Sequence, residues 1–340
     1  MILVCFGTRP EVVKLAPVIW ELSNRRIPYK LVFTGQHREL FDDVSHLVPP
    51  PDYHLNIMKD NQTLCYVLSE IIKEMDKIIR TETPQLIIVQ GDTSTVLASA
   101  LAAFNNRIPI GHVEAGLRTY DLKSPFPEEA NRQIVSRIAT YNWAPTQHAV
   151  DNLKKEGAQN IWMTGNTVID TCRSFDYPNS YGNKILITLH RRENFGSAME
   201  VMFIQLNQLA EMHPELDFVF PMHPNPQVQK WKHLLAHVSV SGPLSYLDMM
   251  KLLSEVKFVI TDSGGIQEEC AAFRKRVLVC RDTTERPEGI QAGMAKLIGT
   301  KITENFAWAN EQPEWTGINP YGDGNASQHI VDTITTRNNV

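Results

Sequence analysis

The chain has 340 residues, 43% apolar and 21% charged, which suits a folded protein with room for two domains and excludes a disordered one. Its net charge of −5 leaves no basic excess to neutralise a phosphate backbone, so general nucleic-acid binding is excluded while a local basic pocket for one nucleotide is allowed. Cys5, Cys65, Cys172, Cys270 and Cys280 form no CxxC pair, which gives neither a zinc framework nor a disulfide pattern and points to a reducing compartment.

The first element, Ile2–Phe6, is apolar but short and runs straight into Gly7-Thr8-Arg9-Pro10, so it reads as a buried strand and not a signal peptide. Further strands are expected at Lys30–Thr34, Gln85–Gln90, Pro109–Val113, Tyr141–Ala144 and Asn160–Thr164, with helices at Leu64–Arg80, Thr93–Asn106 and Glu128–Ala139. A polar stretch follows, and then strands at Lys184–Leu189, Asp217–Pro221, Val238–Ser241, Lys257–Thr261 and Arg276–Cys280, with a helix at Tyr246–Ser254. Near-continuous apolar strands between helices mean parallel, doubly wound sheets covered on both faces. The break near residues 166–183 gives two Rossmann-like domains with a ligand cleft between them: 1–168, then 169–325, then a C-terminal helix in 326–340 for which the sequence leaves either domain open as the packing surface, a return onto the first domain being one of the two. No apolar run reaches transmembrane length, so the expectation is a cytoplasmic protein that avoids membranes and nucleic acid.

In such sheets the residues just after strand ends form the site. Here those positions hold Gly7-Thr8-Arg9-Pro10-Glu11 with Lys14, Gly35-Gln36-His37, Gly91-Asp92-Thr93 and His112-Val113-Glu114-Ala115-Gly116-Leu117-Arg118. The second half adds His190-Arg191-Arg192-Glu193-Asn194, His223-Pro224-Asn225, Asp262-Ser263-Gly264-Gly265 and Arg281 through Arg286. The glycine turn at 262–265 opens a helix, where orphaned N–H groups and the helix dipole suit a phosphate. Each item alone has a bland reading: Asp92 as a helix cap, Arg118 or Arg286 in a surface ion pair, a Gly-Gly turn as a weak motif. Together they exceed what capping needs and read as a catalytic cleft. His148 reads as solvated, and Met249, Met250 and Trp231 as packing residues.

No GxGxxG fingerprint follows the first strand, no GxxxxGK[ST] loop is present, and CxxC metal spacing is missing, so neither a dinucleotide cofactor nor a metal is expected. What remains is a nucleoside diphosphate held by Arg, Lys and helix-terminus amides, facing carboxylates and a His. That set suits cleavage or rearrangement at the sugar carbon bonded to the diphosphate.

The motifs above, with Pro125-Phe126-Pro127-Glu128-Glu129-Ala130-Asn131-Arg132, Ile266-Gln267-Glu268-Glu269, Thr284-Glu285-Arg286-Pro287-Glu288 and Asn319-Pro320-Tyr321-Gly322-Asp323-Gly324, make the chain resemble the non-hydrolysing UDP-N-acetylglucosamine 2-epimerases along nearly its whole length. The resemblance implies a GT-B-type fold, a homodimer, no cofactor, and interconversion of UDP-GlcNAc and UDP-ManNAc through elimination of UDP to a glucal and its re-addition, in the service of polysaccharide biosynthesis. It implies Asp92, Glu114 and Glu128 as acid/base carboxylates and His190 as an aid at the departing phosphate. Arg9, Lys14, Arg118, Ser263, Gly264, Gly265 and Arg286 would bind substrate, and Glu269 the ribose. Carboxylates crowded in one cleft are expected to push at least one pKa upward.

The chain looks shorter than such relatives around 172–184 and 301–317. Gln36, Glu129, Arg191 and His223 match a second, regulatory UDP-GlcNAc pocket, but Asn61 stands where those relatives often carry Arg, so activation should be weakened. Met249 falls where an aromatic near the uracil is common. The rival readings are an epimerase of a modified UDP-acetamido sugar, a hydrolysing epimerase, a GT-B glycosyltransferase and a non-enzymatic UDP-sugar sensor.

Overall fold

β1 (Ile2–Phe6) is buried at every position, as a strand covered on both faces must be. It is an inner strand of a parallel sheet completed by β2 (Tyr29–Phe33), β3 (Tyr53–His54), β4 (Leu86–Gln90), β5 (Ile110–Val113), β6 (Tyr141–Ala144) and β7 (Ile161–Met163), in the order β3-β2-β1-β4-β5-β6-β7. The computed structural model describes residues 1–35, 41–59 and 62–337; Gln36, His37 and Asn61 lie outside them.

The helices of this half are α1 (Arg9–Asn24), α2 (Leu64–Glu82), α3 (Ser94–Asn105), α4 (Glu128–Ile138) and α5 (Gln147–Lys155), followed by α6 (Thr167–Ser174). Threonine hydroxyls cap α2, α3 and α5: those of Thr63, Thr93 and Thr146 accept from the N–H groups of Tyr66 (3.1 Å), Val96 (3.3 Å) and Ala149 (3.2 Å). Pro17 sits inside α1 without an N–H to offer the Val13 carbonyl, and the Thr171 hydroxyl donates to that carbonyl at 2.6 Å instead. The core between sheet and helices is built from Leu3, Ile87, Val89, Ile71, Met75, Ala98 and Val135, among others.

The second sheet repeats the plan. It comprises β8 (Lys184–Thr188), β9 (Asp217–Pro221), β10 (Ser239–Ser241), β11 (Phe258–Thr261), β12 (Arg276–Val279) and β13 (Ala295–Leu297), all parallel, in the order β10-β9-β8-β11-β12-β13. Its helices are α7 (Ser197–Met212), α8 (Pro226–Gln229), α9 (Tyr246–Glu255), α10 (Gly264–Ala272), α11 (Pro287–Gln291) and α12 (Ile302–Asn310). Phe203, Leu206, Phe218, Phe220, Phe258 and Phe306 fill its core, and Trp231 packs on the edge of it. Met250 is fully buried, Met249 half-buried and His148 exposed.

The chain divides into two compact units, residues 1–171 with 321–340, and residues 172–320. Residues 321–325 stay with the first unit because the Asn166 N–H donates to the Tyr321 carbonyl at 2.8 Å. The last helix, α13 (Ala326–Arg337), does so too. Its first N–H groups, from Ala326 and Ser327, donate to the Asp170 carboxylate at 2.8 and 3.3 Å. Arg25 reaches Asp332 at 2.6 Å and the Trp143 indole reaches Thr333 at 2.8 Å. β3 and β13 are not among the expected strands: they are edge strands of two and three residues without an apolar run, and pairing with β2 and β12 defines them.

Both sheets are doubly wound. The chain changes direction across the sheet between β1 and β4 in the first unit, and between β8 and β11 in the second. Loops diverge there at the carboxyl ends of the strands, which opens a crevice in each unit.

Candidate active site

In the first unit the crevice lies between the turn after β1 and the turn after β4. Thr8 begins α1 and Glu11 folds back over it. One Glu11 oxygen accepts from the N–H of Gly7 (3.1 Å), the N–H of Thr8 (2.7 Å) and the Thr8 hydroxyl (2.7 Å). Its other oxygen accepts from the Thr93 hydroxyl at 2.9 Å, across the crevice. Glu11 is 1% exposed. Burial pushes its carboxyl up to about 7, against the pull of the Thr8 and Thr93 hydrogen bonds. Its role does not figure in the expectations, although a Thr-x-x-Glu spacing at 8–11 is legible as a capping box.

The Gly91-Asp92-Thr93 turn is held at each residue. Gly91 adopts φ +80°, a conformation glycine takes without strain, and its carbonyl bonds the His112 ring at 2.7 Å. Burial pushes the fully enclosed His112 down to about 4, so the ring is neutral and its Nε2–H donates. The Asp92 carbonyl accepts from Asn131 at 2.8 Å, and the Asp92 carboxylate pairs with Arg132 at 2.6 Å. Asn131 and Arg132 lie in the first turns of α4, which Glu128 opens, half-buried.

Glu114 lies beside this turn: a Cβ on residue 91 would stand 4.0 Å from Glu114 Oε2. It follows β5 with φ +65°, a left-handed conformation that costs a non-glycine residue about 1–3 kcal/mol. Its carboxylate is 2.6 Å from the Lys14 ammonium and also accepts from the Gln90 amide. Both members of the Lys14–Glu114 pair are buried. Glu11, Asp92 and Glu114 therefore each have their own cation or set of donors, and burial raises the Glu11 pKa.

Three other residues of this unit are engaged in the structure itself. Arg9 pairs with Asp43 at 2.8 Å. The Arg118 side chain is fully enclosed and forms a bidentate pair with Glu156, both bonds 2.8 Å, with a third bond to the Leu117 carbonyl. Glu129 is fully buried and accepts from the N–H groups of Thr119 (3.0 Å) and Tyr120 (3.1 Å), which makes it a clamp on that loop.

In the second unit the crevice lies between the turns after β8 and β11. Asp262, 0% exposed, crosses it: its carboxylate accepts from the N–H groups of His190 (3.0 Å) and Arg191 (2.9 Å) and from the Asn194 amide (3.0 Å). The His190 ring stacks on the exposed His223 ring at 5.4 Å, with Nδ1 3.8 Å from Asp262. Burial depresses the His190 pKa; His223 and Arg191 push the same way and Asp262 opposes them.

Ser263 precedes α10, which begins Gly264-Gly265. Space above Gly265 is open, and the Arg286 guanidinium lies so close over Gly264 that a Cβ there would come within 2.5 Å of it. Arg286 is aimed by Glu268 at 2.6 Å and by Glu285. Glu285 also binds Arg281 at 2.9 Å, and Arg281 binds Glu193 at 2.7 Å. Burial would raise the Glu285 pKa, but the two arginines outweigh it and hold the carboxyl below its ordinary range. Glu269 follows Glu268 on α10, largely buried. A guanidinium fixed over a glycine-rich helix N-terminus is a site for an anionic oxygen. Among the described residues no group of three or more His, Cys, Asp and Glu side chains could hold a metal ion, and no helix is long and apolar enough to cross a membrane.

Comparison with known proteins adds the following. The sequence model of the family described as UDP-N-acetylglucosamine 2-epimerase matches residues 21–335. A UDP-N-acetylglucosamine 2-epimerase from Neisseria meningitidis is 42% identical, over 98% of this chain and 98% of its own. A crystal structure of the N. meningitidis UDP-GlcNAc 2-epimerase bound to UDP-GlcNAc has a TM-score of 0.90 at 40% identity, covering 99% of this chain and 100% of that one. An S. aureus MnaA structure with UDP has a TM-score of 0.90 at 41% identity, covering 99% and 96%. The fold is accordingly GT-B-like, with two Rossmann-like units.

Glu11 makes stability depend on pH. Between its ordinary 4.5 and about 7 the folded chain keeps a proton that the unfolded chain has lost. This contribution, on the order of 3 kcal/mol, is present below pH 4.5 and is lost as pH rises through 7. The Cys5 thiol beside it is pushed up to about 12 by burial and stays neutral across that window. Glu11→Gln cannot ionise, so thermal unfolding followed by circular dichroism should find it gaining on the wild type from pH 5 to pH 8; a constant difference would refute the shift.

Proposed function

This chain belongs to the UDP-N-acetylglucosamine 2-epimerase family, and on that premise we propose that it interconverts UDP-GlcNAc and UDP-ManNAc. The observation that carries the reading is the neighbouring pair Asp92 and Glu114, each oriented by its own cation, Arg132 and Lys14. Inverting C2 requires a proton to leave one face and another to arrive on the opposite face, so two separately held acid/base groups are needed.

On this reading a carboxylate of the Asp92, Glu114 and Glu128 set takes the C2 proton as the C1–O bond breaks. The bonding pair leaves with UDP, and a C1=C2 glucal remains. A proton is then delivered to C2 from the other face, and a UDP oxygen closes on C1. Atoms and electrons balance without a redox cofactor. Arg286, the Ser263-Gly264-Gly265 turn and a neutral His190 stabilise the charge growing on the diphosphate. Glu269 holds the ribose. Arg9 and Lys14 contribute positive charge, Lys14 through its contact with Glu114.

Incubation with UDP-GlcNAc in deuterated water, read by NMR, tests this. Deuterium at C2 of newly formed UDP-ManNAc is expected; free ManNAc would mean hydrolysis, and no exchange would mean a transferase or a sensor. Reaction of a modified UDP-acetamido sugar in preference to UDP-GlcNAc would shift the substrate, not the chemistry. Asp92→Asn and Glu114→Gln should each lower exchange about 10²–10⁴-fold while UDP still binds; wild-type turnover would remove that residue from the scheme.

Regulation on this reading is weak. Glu129 is occupied with the Thr119–Tyr120 backbone and Asn61 offers no charge to a second diphosphate, which leaves Gln36, Arg191 and His223 of the residues that match this pocket. Rates should rise hyperbolically with UDP-GlcNAc, and reactions begun from UDP-ManNAc should show no lag; a strict need for added UDP-GlcNAc would overturn this.

The compartment we infer is the cytoplasm, and the product's use polysaccharide biosynthesis. We also infer a homodimer, supported by exposed Leu64, Phe104 and Ile134 on α2, α3 and α4, which pack side by side. Sedimentation equilibrium should return twice the chain mass; the single mass would exclude it.

A further inference from the structure

We propose that Glu11 is a positioning residue that sets the Asp92 carboxylate by tying the turn after β4 to the turn after β1. The inference rests on the epimerase reading, and deepens it. Three observations carry it. Glu11 is buried, and the bonds of its two oxygens run to opposite walls of the crevice: Gly7 and Thr8 on one side, Thr93 on the other. Thr93 is the residue after Asp92, and its hydroxyl donates to Glu11 and accepts from the Val96 N–H. Further supports of the turn, His112 on Gly91 and Asn131 and Arg132 on Asp92, come from β5 and α4. Glu11 thus refers the turn that carries Asp92 to the turn after β1 and to the helix that carries Arg9 and Lys14.

The second unit contains the same device. Asp262, also buried, spans the β8–β11 switch and gathers the backbone of the His190–Arg191 turn. Both carboxylates sit at the point where a doubly wound sheet changes direction, where turn N–H groups converge with no strand to pair with. Glu11 differs in reaching a side chain next to an acid/base group. A displacement of about 1 Å in such a group can cost a hundredfold in rate, so the tether should act on turnover and leave ligand affinity largely alone.

The test uses the full-length protein in the deuterium-exchange assay, with UDP binding measured by calorimetry and the folded fraction by circular dichroism. Glu11→Ala should lower kcat 10- to 100-fold with KM and the UDP Kd within threefold. Glu11→Gln, which can still accept from Gly7 and Thr8 and donate to Thr93, should restore at least a third of wild-type kcat. Because Glu11→Ala risks misfolding, Thr93→Val removes the same tether at its far end and should show the same kcat loss, reversed in Thr93→Ser. Wild-type kcat in both Glu11→Ala and Thr93→Val overturns the inference, as does a Glu11→Gln no better than Glu11→Ala. A fall in kcat matched by equal losses in UDP affinity also overturns it, because that is general disruption. Wild-type protein that shows no C2 exchange overturns the epimerase reading and this inference with it, whereas exchange unaffected by the substitutions overturns this inference alone.

Discussion

A buried carboxylate bridging the switch point of each sheet is the constraint on which the rest of this structure hangs. A doubly wound parallel sheet must send neighbouring loops in opposite directions at one place, and the turns there begin helices whose first N–H groups have no partner within the helix. Glu11 and Asp262 answer that local deficit with side-chain oxygens drawn from α1 and from the turn after β11. Desolvating a carboxylate is costly, and several N–H and O–H donors aimed at it offset that cost. With the turns fixed in this way, the side chains they carry acquire defined directions.

Those directions separate two kinds of chemistry. In the first unit carboxylates outnumber cations around the crevice, and the structure defuses their repulsion pairwise: Lys14 against Glu114, Arg132 against Asp92. In the second unit the arginines govern. Glu193, Glu268 and Glu285 serve to aim Arg281 and Arg286, and Arg286 lies close over the start of α10 because residue 264 has no Cβ. One unit is suited to moving protons, the other to holding an anion. Glu114 shows the cost of such precision: its left-handed backbone is strained, and its burial with Lys14 and Gln90 holds it there.

Much of this was legible in the chain. Strong strands such as Ile2–Phe6, Tyr141–Ala144 and Asp217–Pro221 emerge at the expected residues because a doubly covered strand needs an unbroken apolar run. β3 and β13 left no such trace, since an edge strand this short is defined by its neighbour's hydrogen bonds. Asp92, Glu114, His190 and the glycine turn stand out because they follow strands. Arg118 stands in the same kind of position, yet its partner Glu156 lies 38 residues further along the chain and turns the guanidinium inward. A strand-end position identifies which residues are near a crevice, but it does not say what each one faces.

By itself the sequence determined the fold class, the division into two Rossmann-like halves, and the set of chemical groups at the strand ends. These follow from periodicity, turn residues and capping, all of which act over a few neighbouring positions. The tertiary structure alone decided which of those groups meet. The bond from Thr93 to Glu11 spans 82 residues, and those from His190 and Arg191 to Asp262 span 72 and 71. No local pattern encodes such pairings. They exist because β1 lies beside β4 and β8 beside β11 once the sheets have formed, and that adjacency turned Glu11 from a helix cap into a tether and Asp262 from the first residue of an anion-binding turn into the brace behind it.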